Sequence, residues 1–113
     1  MPYIKTRTNI NLTDAQIEAV KDELGSAITL IGKTESWLMV DFDKNCNLYF
    51  KGETSSPIAY VEVKLFGHAD ASAYNSMTGA ITNILNEKLG IDPANIYVSY
   101  FETNNWGYNG SNF

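Results

Sequence analysis

Cysteine and histidine are almost absent from this chain, which has one of each, Cys46 and His68. A single cysteine excludes an intrachain disulfide framework and any cysteine-based metal cluster. His68, alone after a glycine and near a helix start, is interpreted as a solvated side chain. Asp41 and Asp43 by themselves are too few to predict a metal site. We therefore expect neither a metal nor a cofactor.

Long apolar runs are also missing, and none approaches the roughly 18 residues that a membrane span needs. No basic segment followed by an apolar one opens the chain, so no secretory signal is predicted. Eight basic against 13 acidic residues give a formal charge of −5, which argues against nucleic acid as a partner. We expect a single globular domain over residues 1–113, without membrane insertion, either cytoplasmic or secreted without a signal peptide.

The first half of the chain predicts a strand, a helix and a second strand. Tyr3–Thr8 alternates weakly, as a strand does. Thr13 opens a helix with a capping box, and Gly32 stands where a left-handed residue ends one. Trp37–Phe42 then predicts a strand, and Leu48–Phe50 a short strand after a polar turn. The apolar face of the helix consists of Ile17, Val20, Leu24, Ile28 and Ile31.

The second half repeats this order. Ile58–Phe66 predicts a strand, a helix follows over about 70–89 until Gly90 ends it, and Ile96–Phe101 predicts the next strand. Two such βαβ pseudo-repeats predict an α+β fold, with a four-stranded mixed sheet and both helices on one face.

The predicted strands carry apolar residues that two helices on one face would not fully cover. Further copies of the chain would supply the second cover, so the pattern predicts an oligomer. The residues in question are Ile4, Leu38, Val40, Val61, Val63, Leu65, Ile96 and Val98.

Proline at position 2 stands directly behind the initiator methionine. Methionine is commonly removed before proline, which would leave Pro2 with a secondary amine at the chain start. Burial or a nearby cation lowers the pKa of an α-amine toward neutrality, where it can act as a general base. The structural alternative is that Pro2 only stiffens the N-terminus.

Taken together, several motifs resemble the macrophage migration inhibitory factor (MIF) family of the tautomerase superfamily. They are Pro2 at the first strand, Gly32-Lys33, Ser56-Pro57, the stretch Leu89–Val98 and the tail Asn105–Phe113. The resemblance covers nearly the whole chain. It implies a ring-shaped homotrimer whose sheets line a central barrel, with active sites at the subunit interfaces.

The resemblance also implies a function, a cofactor-free keto–enol tautomerase. Pro2 would shuttle a proton on a small aromatic 2-keto acid such as phenylpyruvate, with dopachrome as another candidate substrate. Lys33 would pair with the carboxylate, although it could instead complement a helix dipole. Tyr97 would enter the site from a neighbouring subunit, although a core aromatic is the alternative. The residues that would form the aromatic pocket wall are Trp37, Trp106, Tyr108 and Phe113.

The sequence departs from the family pattern at three places. Ser99 replaces a frequent asparagine near the substrate, and Phe66 replaces a usual isoleucine, keeping a backbone amide donor but narrowing the pocket. The Cys-x-x-Cys of some relatives is absent, which excludes dithiol chemistry. Lys64, on a neighbouring strand, is interpreted as a solvated charge.

A second function stays open at this point, because the resemblance includes cytokines that bind a cell-surface receptor. The chain would then be a signalling protein, a mimic of a host ligand, with a host receptor as partner and a vestigial tautomerase site.

Overall fold

The computed structural model describes all residues from Met1 to Phe113. Two helices lie on one face of a four-stranded sheet, and a two-stranded hairpin follows. The elements are β1 (Pro2–Thr8), α1 (Asp14–Ala27), β2 (Met39–Asp43), β3 (Ala59–Phe66), α2 (Ala71–Leu89), β4 (Ile96–Thr103), β5 (Gly107–Tyr108) and β6 (Ser111–Asn112).

The sheet confirms the two βαβ pseudo-repeats. Its strand order is β2-β1-β3-β4. Within each repeat the two strands pair in parallel, β1 with β2 and β3 with β4, and the repeats join through the antiparallel pair β1–β3. Each parallel pair needs a crossover, which α1 and α2 supply. The predicted fold class is therefore confirmed.

Helix α1 begins as its sequence predicts. The hydroxyl of Thr13 accepts from the N–H of Gln16 (3.1 Å), and the Gln16 side chain accepts from the N–H of Thr13 (2.9 Å). The α-helix ends at Ala27, earlier than predicted, and a 3-10 turn over Ile28–Ile31 continues it. Gly32 then adopts the left-handed conformation (φ 75°), where a side chain with a Cβ is disfavoured.

Two strand predictions are wrong. Trp37 does not open a strand, because it closes a short 3-10 turn over Glu35–Trp37, and β2 begins at Met39. Leu48–Phe50 forms no strand, since Phe50 makes only an isolated bridge with Glu53. The positive φ of Lys51 (54°) turns the chain there before a ladder can extend.

The expected second apolar face of the sheet is also absent. Ile4, Val61, Val63 and Leu65 are buried against the helices, and Leu38, Val40, Ile96 and Val98 pack against the same core. The other face is polar and aromatic because side chains alternate along each strand. This open face carries Tyr3, Lys5, Arg7, Met39, Asp41, Asp43, Tyr60, Glu62, Lys64, Phe66, Tyr97, Ser99, Phe101 and Thr103.

Polar side chains on the open face largely pair with one another. Asp43 pairs with both Lys5 (3.2 Å) and Arg7 (3.0 Å). The hydroxyl of Tyr3 donates to Asp41 (2.5 Å). The eight apolar residues named from the sequence therefore give no reason for an oligomer, since they face the helices, and any subunit contact on the open face must accommodate charge.

Candidate active site

A cavity of about 740 Å³ opens at the end of the sheet where the chain starts. Met1 and the buried Pro2 form part of its wall. The predicted pocket residues Trp37, Trp106 and Tyr108 also line it. The rest of the lining is Tyr3, Ser36, Leu38, Met39, Lys64, Phe101, Glu102, Thr103 and Gly107.

Ring contacts hold the aromatic wall together. Trp37 meets Tyr108 edge-on, with ring centroids 5.2 Å apart. Tyr108 lies nearly parallel to Phe113 (6.4 Å), which in turn contacts Phe66 (5.7 Å). Each such pair contributes about 0.5–1.5 kcal/mol beyond the buried area. Phe113 and Phe66 thus support the cavity wall without lining the cavity.

The hairpin β5–β6 places Tyr108 at this wall. Asn109 (φ 53°) and Gly110 (φ 89°) both have positive φ between the paired Tyr108 and Ser111, as a two-residue type I′ turn requires. The N–H of Phe113 then donates to the carbonyl of Trp106 (3.0 Å). The Asn109-Gly110 pair is the sequence signal for this hairpin.

Lys33 reaches the site from the turn after Gly32 but does not line the cavity. Its Nζ donates to the carbonyl oxygen of Phe66 (2.9 Å). The N–H of Phe66 donates to the carbonyl of Met1 (3.1 Å). Lys33 therefore links the connection after α1 to Phe66, the last residue of β3, and Phe66 is in turn hydrogen-bonded to Met1.

The α-amino group lies in an environment that disfavours its charge. Burial, together with the positive charge of Lys33, lowers the pKa of the Met1 amine from its ordinary value of 8.0. While Met1 is attached, the nitrogen of Pro2 belongs to a peptide bond and is not basic. Removal of Met1 would bring the amine onto Pro2, which is itself buried.

Tyr97 and Ser99 lie away from the cavity of their own chain. Tyr97 aligns with Arg7 across the sheet, five residues from Pro2, or roughly 17 Å at the rise of a strand. Its ring contacts Phe50 edge-on (5.0 Å) and is 62% exposed. Ser99 shares a hydrogen bond with the hydroxyl of Tyr60 (2.7 Å). One chain does not bring Tyr97 and Pro2 together.

The structure adds lining residues that the sequence reasoning missed. Met39, Tyr3, Lys64 and Phe101 are aligned across all four strands and form one row on the open face. Their grouping depends on strand register, which no single segment reveals. No group of three or more His, Cys, Asp or Glu side chains is placed to hold a metal ion.

The comparisons with known proteins agree with this geometry. The family model for macrophage migration inhibitory factor (MIF) matches residues 1–113. The chain belongs to the MIF family. The resemblance inferred from Pro2, Lys33 and the tail is therefore confirmed, as is the fold.

Individual MIF proteins are similar along their whole length. Leishmania major MIF2 has 31% identity and a TM-score of 0.93, covering 100% of this chain and 97% of that one. A MIF homolog of Trichinella spiralis is 26% identical over 115 residues, covering 100% of both chains. The structure of Pt0534 inactivated by 2-oxo-3-pentynoate shares the fold, with 15% identity, a TM-score of 0.87 and coverage of 97% and 95%.

None of the helices is both long and apolar enough to cross a membrane.

Proposed function

We propose that this MIF-family chain is a cofactor-free keto–enol tautomerase of phenylpyruvate-like 2-keto acids, with the amine of Pro2 as its base after Met1 is removed. The observation that carries the proposal is the chain start in an aromatic-walled cavity of about 740 Å³. A cavity of this size suits a small aromatic acid.

The proposed reaction is a proton transfer between two atoms of the substrate. The neutral Pro2 nitrogen removes the proton from the enol hydroxyl while the carbonyl forms. The resulting ammonium then returns a proton to the adjacent carbon. No electron acceptor is needed, because the substrate is isomerised without net oxidation. A base whose pKa lies near the working pH performs both steps well.

The charge of Lys33 supports this proposal electrostatically. Burial first, and then the charge of Lys33, lower the pKa of the Met1 amine, and an amine on Pro2 would meet the same cation, which disfavours a second positive charge. A larger neutral fraction of the amine follows at pH 7. We propose that Lys33 also pairs with the substrate carboxylate, exchanging its contact with the Phe66 carbonyl.

Tyr97 can act in this site only if another subunit supplies it, because its own Pro2 lies roughly 17 Å away along the strands and two strands across the sheet. We propose the homotrimer that the resemblance implies, with Tyr97 of one chain oriented toward the cavity of the next. Met39 (67% exposed) and Phe101 (46% exposed) at the cavity support this arrangement, since a neighbouring subunit would cover them.

The test compares three chains in a phenylpyruvate assay, with N-termini verified by mass spectrometry. They are the mature chain starting at Pro2, the mature Pro2→Gly chain, and a chain with one alanine placed before Pro2. We expect turnover by the first, a rate at least tenfold lower for the second, and none for the third, whose Pro2 nitrogen is an amide. Sedimentation must show the same oligomer for all three. Undiminished activity of the extended chain would overturn the proposal.

A covalent probe gives an independent readout. 2-Oxo-3-pentynoate is a 2-keto acid that carries an alkyne, and a neutral amine can add to that alkyne. We expect one adduct on Pro2 of the mature chain and none on the alanine-extended chain. The alternative function, a ligand of a cell-surface receptor, stays a prediction.

A receptor-binding assay with the Pro2→Gly chain distinguishes the receptor ligand from the enzyme, because receptor binding would survive the loss of turnover.

A further inference from the structure

Lys64 is the one basic side chain in the cavity wall. It lies on β3 next to Leu65, the register partner of Pro2, and is itself paired with Tyr3. Adjacent antiparallel partners have Cα atoms only about 5 Å apart. The ammonium of Lys64 can therefore reach a molecule that touches Pro2.

The contacts of Lys64 leave its ammonium available. Its Nζ lies 5.6 Å from the ring centre of Phe101, which orients the stem by a cation–π contact. The nearest anionic oxygen belongs to Glu62 at 3.6 Å, beyond hydrogen-bond length. The side chain is 48% exposed. Lys33, by contrast, already donates a 2.9 Å bond to Phe66.

The one acidic residue of the wall, Glu102, does not cancel this charge locally. Its carboxylate accepts from the hydroxyl of Tyr74 on α2, on the helix side of the sheet. Lys64 and Phe101 occupy the open face. Glu102 aligns with Leu65 and Pro2 in the helix-side row, so Lys64 flanks the chain start from the open-face side and is the cation on that side of the cavity.

We propose that Lys64, from the cavity wall, is a second cation beside Lys33 that binds the carboxylate of the substrate, and that it makes the site select anionic 2-keto acids over neutral keto compounds. This inference rests on the proposed tautomerase function and adds a specificity-determining residue to it. An anion over Phe101 would replace the longer Glu62 contact with a charge-assisted hydrogen bond, which is among the stronger ones. Lys64 takes no part in the proton transfer.

The test uses the mature chain and two substrates, phenylpyruvate and its methyl ester. Lys64→Met should raise KM for phenylpyruvate about tenfold while kcat changes by less than about twofold, as expected for lost ground-state binding. KM for the ester should hardly change. Lys64→Arg should restore selectivity for the acid. Lys88→Met, on the end of α2, controls for the same loss of net charge.

Glu62→Gln should change KM for phenylpyruvate in the opposite direction. Removing the competing carboxylate should lower KM for phenylpyruvate about threefold and leave the ester unaffected. A merely structural role for Lys64 would not produce opposite shifts confined to the acid. Equal effects of Lys64→Met on acid and ester, or no effect on either, would overturn the inference.

The failure of the proposed function would look different. In that case the unmodified mature chain would turn over neither substrate. Phenylpyruvate binding can still be measured by quenching of Trp37 and Trp106, which line the cavity. A dissociation constant unchanged by Lys64→Met would then reject carboxylate recognition, and one weakened about tenfold would support it.

Discussion

Replacing Thr6 by valine should stabilise this protein, although most core substitutions destabilise. Thr6 is fully buried on the helix side of β1, and its hydroxyl has no hydrogen-bond partner. A buried polar group without a partner costs about 1–3 kcal/mol. Valine has nearly the same shape and suits a strand equally well. Its methyl group suits the apolar site, so we expect a net gain of about 1–3 kcal/mol from removal of the unpartnered hydroxyl.

Thr8 provides the matched control two residues along the same buried face. Its hydroxyl donates to the carbonyl of Ile58 (2.7 Å) and accepts from the N–H of Ile10 (3.4 Å). Thr8→Val removes both bonds and leaves buried groups unpaired. We expect a loss of about 1–3 kcal/mol, opposite in sign to the effect at Thr6.

Urea unfolding followed by circular dichroism measures both variants, at one fixed protomer concentration because association contributes to stability. The unfolding midpoint should rise for Thr6→Val and fall for Thr8→Val, with slopes m unchanged. A destabilised Thr6→Val would refute the reasoning, since it would mean that the hydroxyl binds a buried water or a shifted partner.

Three further predictions concern pH and the loop before β3. Lys33→Met should raise the pKa of the mature chain's Pro2 amine and move the rise of kcat/KM to higher pH, because a cation near the chain start disfavours a second positive charge. The pKa of the Met1 amine is lowered in this way, by burial first and then by Lys33. Lys33→Arg should leave both unchanged. Asn9→Ala should cost about 1–3 kcal/mol in urea unfolding, since Asn9 accepts from the N–H of Ile58 (2.8 Å). The hydrogen bond to Asp41, followed by burial, raises the pKa of Tyr3 to about 12. Unfolded tyrosine ionises near pH 10, so stability present below pH 10 should decline toward pH 12, and less steeply in Tyr3→Phe.

Local signals predicted the fold well where a single segment decides the structure. The capping box at Thr13 and the left-handed Gly32 and Gly90 are governed by neighbours in sequence. Trp37 was misassigned because its apolar neighbours suit a strand, yet β2 pairs with β1 only from Met39. The tertiary ladder, not local propensity, set that boundary.

The site was less predictable than the fold, because it combines distant segments. Pro2 and the aromatic wall were expected from the family pattern, and the structure brings Pro2, Trp37, Trp106 and Tyr108 to one cavity. Lys64 was missed because its place there follows from pairing with Tyr3 and proximity to Phe101. The second apolar face was predicted wrongly for a related reason. The face of the sheet on which a strand residue lies depends on the register between strands, which no single strand's sequence contains.

The distance between Pro2 and Tyr97 within one chain has a genetic consequence. In the proposed ring, each site would take Pro2 from one chain and Tyr97 from the next, in a fixed rotational order. Suppose one allele encodes Pro2→Gly and another Tyr97→Phe, each inactive alone. A mixed ring then contains a single junction where an intact Pro2 faces an intact Tyr97. Two defective alleles expressed together would regain part of the activity that neither provides by itself.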